Sequence, residues 1–210
     1  MSMPRRGSGA AVFRGCTLAP LAFLLLAGCL LAGCASGRQA GTAPVRTAAP
    51  PDWLNRTYSV TCDGIVPTGL RAPVLDGRAR VTADGSRTPF YDHYDIRVLA
   101  TATGDVDGDG APDAVVLLDC SPQPSNGIVQ EVQVFSSTGS PLGALPSPRT
   151  LEGDAPLPPE YDPSGLSVQN GEIVAAMTAY GPHDFHASGP SVPITVRWRF
   201  DGQGFVRASP

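Results

Sequence analysis

The chain has 210 residues, with 15 basic residues, all arginine, against 19 acidic ones and a formal net charge of −4. Arg5, Arg6 and Arg14 precede an apolar stretch near the N-terminus, so the part beyond it carries 12 basic and 19 acidic residues, a net charge near −7. A surface of that sign lacks the basic patch that a phosphate backbone requires, which excludes nucleic acid as a partner.

Residues 1–15 hold three arginines and no acid, and the sequence then runs CTLAPLAFLLLAGCLLAGC. A basic start followed by an apolar stretch has the form of a secretory signal. The apolar run 17–32 falls short of the ~20 residues that span a bilayer, which argues against a transmembrane helix. It ends in two copies of Leu-Ala-Gly-Cys, closing at Cys29 and Cys34. That tetrapeptide resembles the lipobox of bacterial lipoproteins. The resemblance implies that one of the two cysteines receives a diacylglyceryl group and becomes the mature N-terminus. Cys34 is preferred, because Ala35, Ser36, Gly37 and Arg38 are small or polar, whereas processing at Cys29 would leave Leu30 and Leu31 at the new terminus. Residues 1–33 are thus expected to be a lipoprotein signal peptide. Export by the general or the twin-arginine route stays open, since Gly7 and Ser8 after Arg5 and Arg6 are not the apolar pair that the latter prefers.

Residues 34–51 are mostly Ala, Pro, Thr and Gly with the charged or amide side chains of Arg38, Gln39 and Arg46 scattered among them, too poor in large apolar residues to bury a core. They are expected to be a tether holding the rest on the order of 20 to 25 Å from the lipid as a flexible chain. Residues 52–210 suit one domain with one core.

Strand periodicity runs through that domain and helical periodicity does not. TYSVTC, ending at Cys62, reads as its first strand. Tyr94, Ile96, Val98 and Ala100 alternate with Asp95, Arg97 and Leu99, predicting one apolar and one mostly polar face. An Asp-rich loop follows, and then AVVLL at 114–118, apolar on both faces as in a central strand covered on both sides. In IVQEVQVF, Val132 and Val134 are out of phase with Val129, which predicts a bulge near Gln130 and Glu131. Residues 137–139 turn the chain into 141–145. The proline-rich passage 145–163 is expected on the surface, since prolines lack the donors that a sheet needs. Leu166 and Val168, the Asn170-Gly171 pair and EIVAAMTAY predict a hairpin with a two-residue turn. In VPITVRWRF, Ile194, Val196, Trp198 and Phe200 share one face; 201–204 then turn the chain into Phe205 and Val206. The fold class these signals define is all-β, an antiparallel meander, sandwich-like or an incomplete propeller-like sheet.

The loop between the central strands, TGDVDGDGAPD, places Asp105, Asp107 and Asp109 at alternate positions and Asp113 four residues later. Four carboxylates at that spacing repel one another unless they turn inward onto a hard cation, which gathers six to eight oxygens. Gly110 permits the reversal of the chain. Ala111, seventh in the loop, can contribute only its backbone carbonyl. The twelfth position is Val116 on a strand, where an EF-hand would have a bidentate Glu on a helix. In this form the stretch resembles the FG-GAP and VCBS type of calcium loop, D-x-D-x-D-G-x-x-D between two strands. The resemblance implies one structural Ca2+ held by Asp105, Asp107, Asp109, Asp113 and the Ala111 carbonyl. It covers about a tenth of the chain and occurs once, so the propeller of that family is not implied. The plainer alternative is an ion-free Asp/Gly turn.

Beyond the signal only Cys62 and Cys120 remain, and two cysteines in an oxidising compartment predict one disulfide, with two separate thiols as the alternative. AAMTAYGPHDF, VRWRF and DGQGF resemble the C-terminal part of actinobacterial envelope lipoproteins of the LppP/LprE kind. That resemblance implies a location, not a chemistry. Together these readings describe a lipid-anchored protein on the outer face of the cell membrane or envelope. Its β domain would act by binding or support, with an envelope protein or a glycan as partner. The alternative is a secreted hydrolase or metal enzyme centred on His183, Asp184 and His186, since two histidines and a carboxylate can bind zinc. No nucleophile elbow and no phosphate-binding glycine loop accompanies them.

Overall fold

The computed structural model describes residues 50–85 and 90–208. The predicted signal peptide, most of the tether, Cys29 and Cys34 lie outside the described residues. Thr47–Pro210 forms one compact unit.

Its eleven described strands make three antiparallel sheets. The central sheet is a five-stranded meander of β3 (Arg78–Thr82), β4 (His93–Gly104), β5 (Asp113–Gln123), β6 (Val129–Phe135) and β7 (Pro141–Ala144), neighbours in sequence being neighbours in space. After a single 3-10 turn at Pro148–Leu151, a second meander follows: β8 (Glu160–Gln169), β9 (Glu172–Ala179), β10 (Val192–Phe200) and β11 (Phe205–Arg207). The hairpin of β1 (Thr57–Val60) and β2 (Leu70–Pro73) stands apart as a two-stranded sheet.

β5 explains the layering. Val115 and Leu117 point to one face and pack with Ile173, Met177, Val196 and Trp198 of the second meander. Val116, Leu118 and Cys120 point to the other and pack with Tyr58, Val60 and Ala72 of the β1–β2 hairpin. The run AVVLL is therefore apolar on both faces because both are covered, as the sequence predicts. The all-β, sandwich-like expectation holds: two meanders face each other across a core, and the small hairpin caps the far side.

Both predicted hairpins form. Asn170 and Gly171 take φ of 53° and 78°, as a two-residue turn between β8 and β9 requires. Val196 and Trp198 are buried, with Ile194 and Phe200 packed beside them.

Three expectations need correction. β6 has no bulge at Gln130 and Glu131; its pairing with β5 is continuous from Ala114↔Phe135 to Cys120↔Val129. Val129 is out of phase because it lies on the hairpin side with Glu131, Gln133 and Phe135, and Glu131 is buried there. Its Oε2 accepts from the Thr61 amide (3.0 Å), the Thr61 hydroxyl (2.7 Å) and the Asp63 amide (3.4 Å), so a strand can turn a carboxylate inward at no loss of hydrogen bonding. The irregularity lies instead in β4, whose register with β5 slips between Val98 and Ala100. Tyr94, Ile96 and Val98 face the hairpin, whereas Ala100 faces the second meander with Leu99 and Ala102. Finally, the proline-rich passage is not wholly superficial. Leu145, Pro148 and Pro159 are buried, and β8 already begins at Glu160 and Tyr161. Asp162, Pro163, Ser164 and Gly165 bulge out of it before Leu166.

Cys62 and Cys120 are joined by a disulfide, with α-carbons 5.4 Å apart. The bridge ties the chain just beyond β1 to the later half of β5.

Candidate functional site

The β4–β5 connection, 105–112, is the acidic loop. Gly108 and Gly110 take φ of 83° and 85°, conformations that a side chain resists. The loop is tied by its own aspartates. Asp105 accepts from the amides of Gly108 (2.8 Å) and Gly110 (3.1 Å), Asp107 from that of Asp109 (3.0 Å), and Asp109 from that of Ala111 (2.7 Å). Asp105, Asp107 and Asp109 each bring one carboxylate oxygen within 4.8 Å of the others, the only such group of metal-binding side chains among the described residues. Asp113 does not belong to that group. It is fully buried at the start of β5, where its Oδ2 accepts from the amides of Val106 (2.9 Å) and Asp107 (3.2 Å). Its Oδ1 is buried with no hydrogen-bond partner. Ala111 uses its amide on Asp109, which leaves only its carbonyl to face an ion.

The loop also meets the second meander. Val106 is buried in the core between the two meanders. Gly104 lies against the β8–β9 hairpin so closely that a β-carbon there would come within 2.6 Å of Val168 Cγ1.

The histidine loop is built differently. His183 and His186 are exposed on the β9–β10 connection, and with Asp184 they do not form a three-ligand group. Asp184 serves the loop itself. Its carboxylate accepts from the amides of Gly181 (2.7 Å) and Ser191 (2.9 Å) and from the Ser191 hydroxyl. Those bonds, the Gly181 amide first, hold its pKa below the ordinary value of 3.8. His93, at the start of β4, lies 3.5 Å from Asp95 and far along the chain from the other two histidines.

Sequence reasoning missed a third feature. A cavity of about 560 Å3 lies beside β1, β6 and β7 and adjoins one of about 430 Å3 that reaches Tyr180 and His186. Asp63, Gln130 and Pro148 line both, so the two lie side by side along one groove-like face. Two aspartates with buried side chains flank the disulfide in its wall. Asp119, before Cys120, is 3% exposed and holds Arg97 through both carboxylate oxygens, at 2.6 and 3.2 Å. Asp63, after Cys62, has a side chain 6% exposed, paired with Arg149 at 3.2 Å. The Tyr180 hydroxyl donates to Glu160 (3.3 Å). Burial first, and then the Glu160 carboxylate, raise the pKa of that phenol, so it remains a donor. The available signal was a charged residue beside each cysteine, which by itself is common on any surface.

Compared with protein-family models, curated proteins and solved structures, the chain matches none.

Proposed function

We propose that the chain is a lipid-anchored protein of the outer cell envelope whose β domain acts by binding, with one calcium ion held as a structural element in the β4–β5 loop. The observation that carries the calcium reading is the pairing of three convergent aspartate oxygens with a buried, unpartnered Asp113 Oδ1 at the end of the same loop. A buried carboxylate oxygen without a donor is costly, and a hard cation is the partner that suits oxygen ligands crowded at this spacing. Asp105, Asp107 and Asp109 would hold the ion, with the Ala111 carbonyl and water in its shell, and Asp113, which lies outside the group of converging oxygens, would bring in Oδ1 as the loop closes on the ion. Its effect would be on packing, since the same loop seats Val106 in the core and follows Gly104, which lies against Val168.

Lacking a bidentate twelfth ligand, the site should be weak, with a dissociation constant of ~10⁻⁴ to 10⁻³ M as in extracellular modules. The ion binds the folded loop and hardly the unfolded chain. Calcium at ten times that constant should therefore add ~1.4 kcal/mol of stability, which chelation removes. A melting curve with and without millimolar calcium tests this, with Asp107→Ala expected to abolish the shift. An unchanged melting temperature in the parent protein would reduce the stretch to a turn.

The anchoring part of the proposal rests on the two Leu-Ala-Gly-Cys copies. Fatty-acid labelling should be lost in Cys34→Ser and kept in Cys29→Ser; the reverse would move the mature terminus to Cys29.

A further inference from the structure

We propose that the groove beside the disulfide is a saccharide-binding site that takes more than one unit of a neutral oligosaccharide. The proposal deepens the reading of the domain as a binding module and is independent of calcium. The groove lies toward the other end of β5, and the stretch from Asp113 to Asp119 is about 20 Å of extended strand.

Two chemistries compete for a cavity walled by Asp63, Asp119 and Glu160, a free cation or a polyhydroxylated neutral ligand. The balance of charge decides between them. Asp119 is already neutralised by Arg97 and Asp63 by Arg149, whose own side chain is 55% exposed at the cavity. A cation entering there meets a guanidinium as well as acids. Asp119 spends both oxygens on Arg97, but Asp63 spends one on Arg149, and exposed Glu160 keeps lone pairs beyond the one that takes the Tyr180 hydroxyl, so acceptor capacity remains in the wall. Asn126, Gln130 and Arg149 add donors to the same wall. A ligand whose every hydroxyl both donates and accepts matches such a wall; a small ammonium ion, which only donates, does not.

The rest of the lining fits the same ligand. Leu157, Pro158 and Pro159 give a rigid apolar flank, and Tyr180 and His186 add two rings, the kind of surface that takes the C–H face of a sugar. The two cavities, about 430 and 560 Å3, are each of ligand size and share Asp63, Gln130 and Pro148 in their walls, so that adjoining units of one ligand could occupy both. Asp63 is set there by the backbone. Cys62 and Asp63 take φ of 50° and 52°, left-handed conformations rare for residues with side chains, held by the disulfide and by the Asp63 amide on Glu131.

The test presents the full chain in detergent to an array of neutral and acidic oligosaccharides of two to six units, followed by calorimetric titration of any hit and of spermidine. The expected result is saturable binding of a neutral oligosaccharide, unaffected by chelation at a temperature where the fold persists. Asp63→Asn keeps the backbone preference and removes the charge; His186→Ala changes an exposed ring. Each should weaken binding about tenfold, the loss of one hydrogen bond to a charged group or of one ring contact. A blank array, binding of spermidine or of acidic sugars alone, or binding that ignores both variants would overturn the proposal. If the calcium-dependent melting shift persists under any of those outcomes, the groove reading fails and the calcium reading stands. Saccharide binding without that shift has the opposite meaning: the groove reading stands and the calcium reading fails.

Discussion

Asp113 and Asp119 stand six residues apart on one strand, both almost wholly buried, and the protein satisfies them in opposite ways. Asp119 meets a guanidinium across the sheet, since Arg97 is its direct cross-strand partner, and both of its oxygens are used. Asp113 meets only backbone amides, which take one oxygen and leave the other unpartnered in a loop of three further acids. One end of β5 is therefore electrostatically complete within the chain, and the other end is not. A closed pair of this kind is settled within the chain, whereas the open one is what the proposed calcium ion would complete.

The disulfide belongs to the complete end, and removing it should have the largest effect. Its two cysteines are 58 residues apart in sequence, so loop closure gives ~4 kcal/mol. Paired Cys62→Ser and Cys120→Ser replacements should lower the urea midpoint accordingly; a midpoint unchanged within error would mean that packing of β1 on β5 alone holds that end. Next comes Asp113→Ala, which strips two amides of a charged acceptor, one of them on buried Val106, at a cost of ~3 kcal/mol. That cost should be larger in calcium than in chelator, because without the ion the same change also relieves repulsion among the acids. Asp119→Ala should cost only ~1 kcal/mol, since Arg97 is nearly half exposed and can turn to water, and calcium should make no difference to it. Equal calcium dependence of the two variants in urea titrations would erase the contrast between the ends.

How far each end is legible in the sequence follows from the range of its contacts. The acidic loop is local: Asp105, Asp107, Asp109 and Gly110 lie within six residues, and their spacing alone places the carboxylates together. The strands around it are local too, because alternation is read from neighbours in sequence. The complete end depends on partners far away. Glu131 reads as a break in the phase of β6, since nothing near it in sequence can satisfy a buried carboxylate, and its partners Thr61 and Asp63 come from about seventy residues earlier. The β4 slip at Leu99 is hidden for a different reason. In VLATAT either phase presents acceptable apolar residues, so only the facing strand chooses. Pro163 conceals the start of β8 because the bulge that accommodates it is a property of pairing with β9.

Asp184 supplies a third way to satisfy a carboxylate, and with it the smallest predicted effect. It lies near the surface, and its partners are two amides and a hydroxyl of its own loop, with no cation needed. Its pKa is lower in the folded chain than the ordinary 3.8, so the stabilisation it lends the β9–β10 loop is complete above that value. The contribution is lost as pH falls through the depressed folded pKa, because protonation removes the acceptor that Gly181 and Ser191 share. The amide resonances of those two residues should therefore titrate together, with a midpoint below 3.8, and Asp184→Asn should abolish the step. The Asp113 end gives the control. If chelation moved the Gly181 and Ser191 resonances as acid does, the histidine loop would itself be part of a cation site, and the division of this domain into one open and several closed carboxylates would fail.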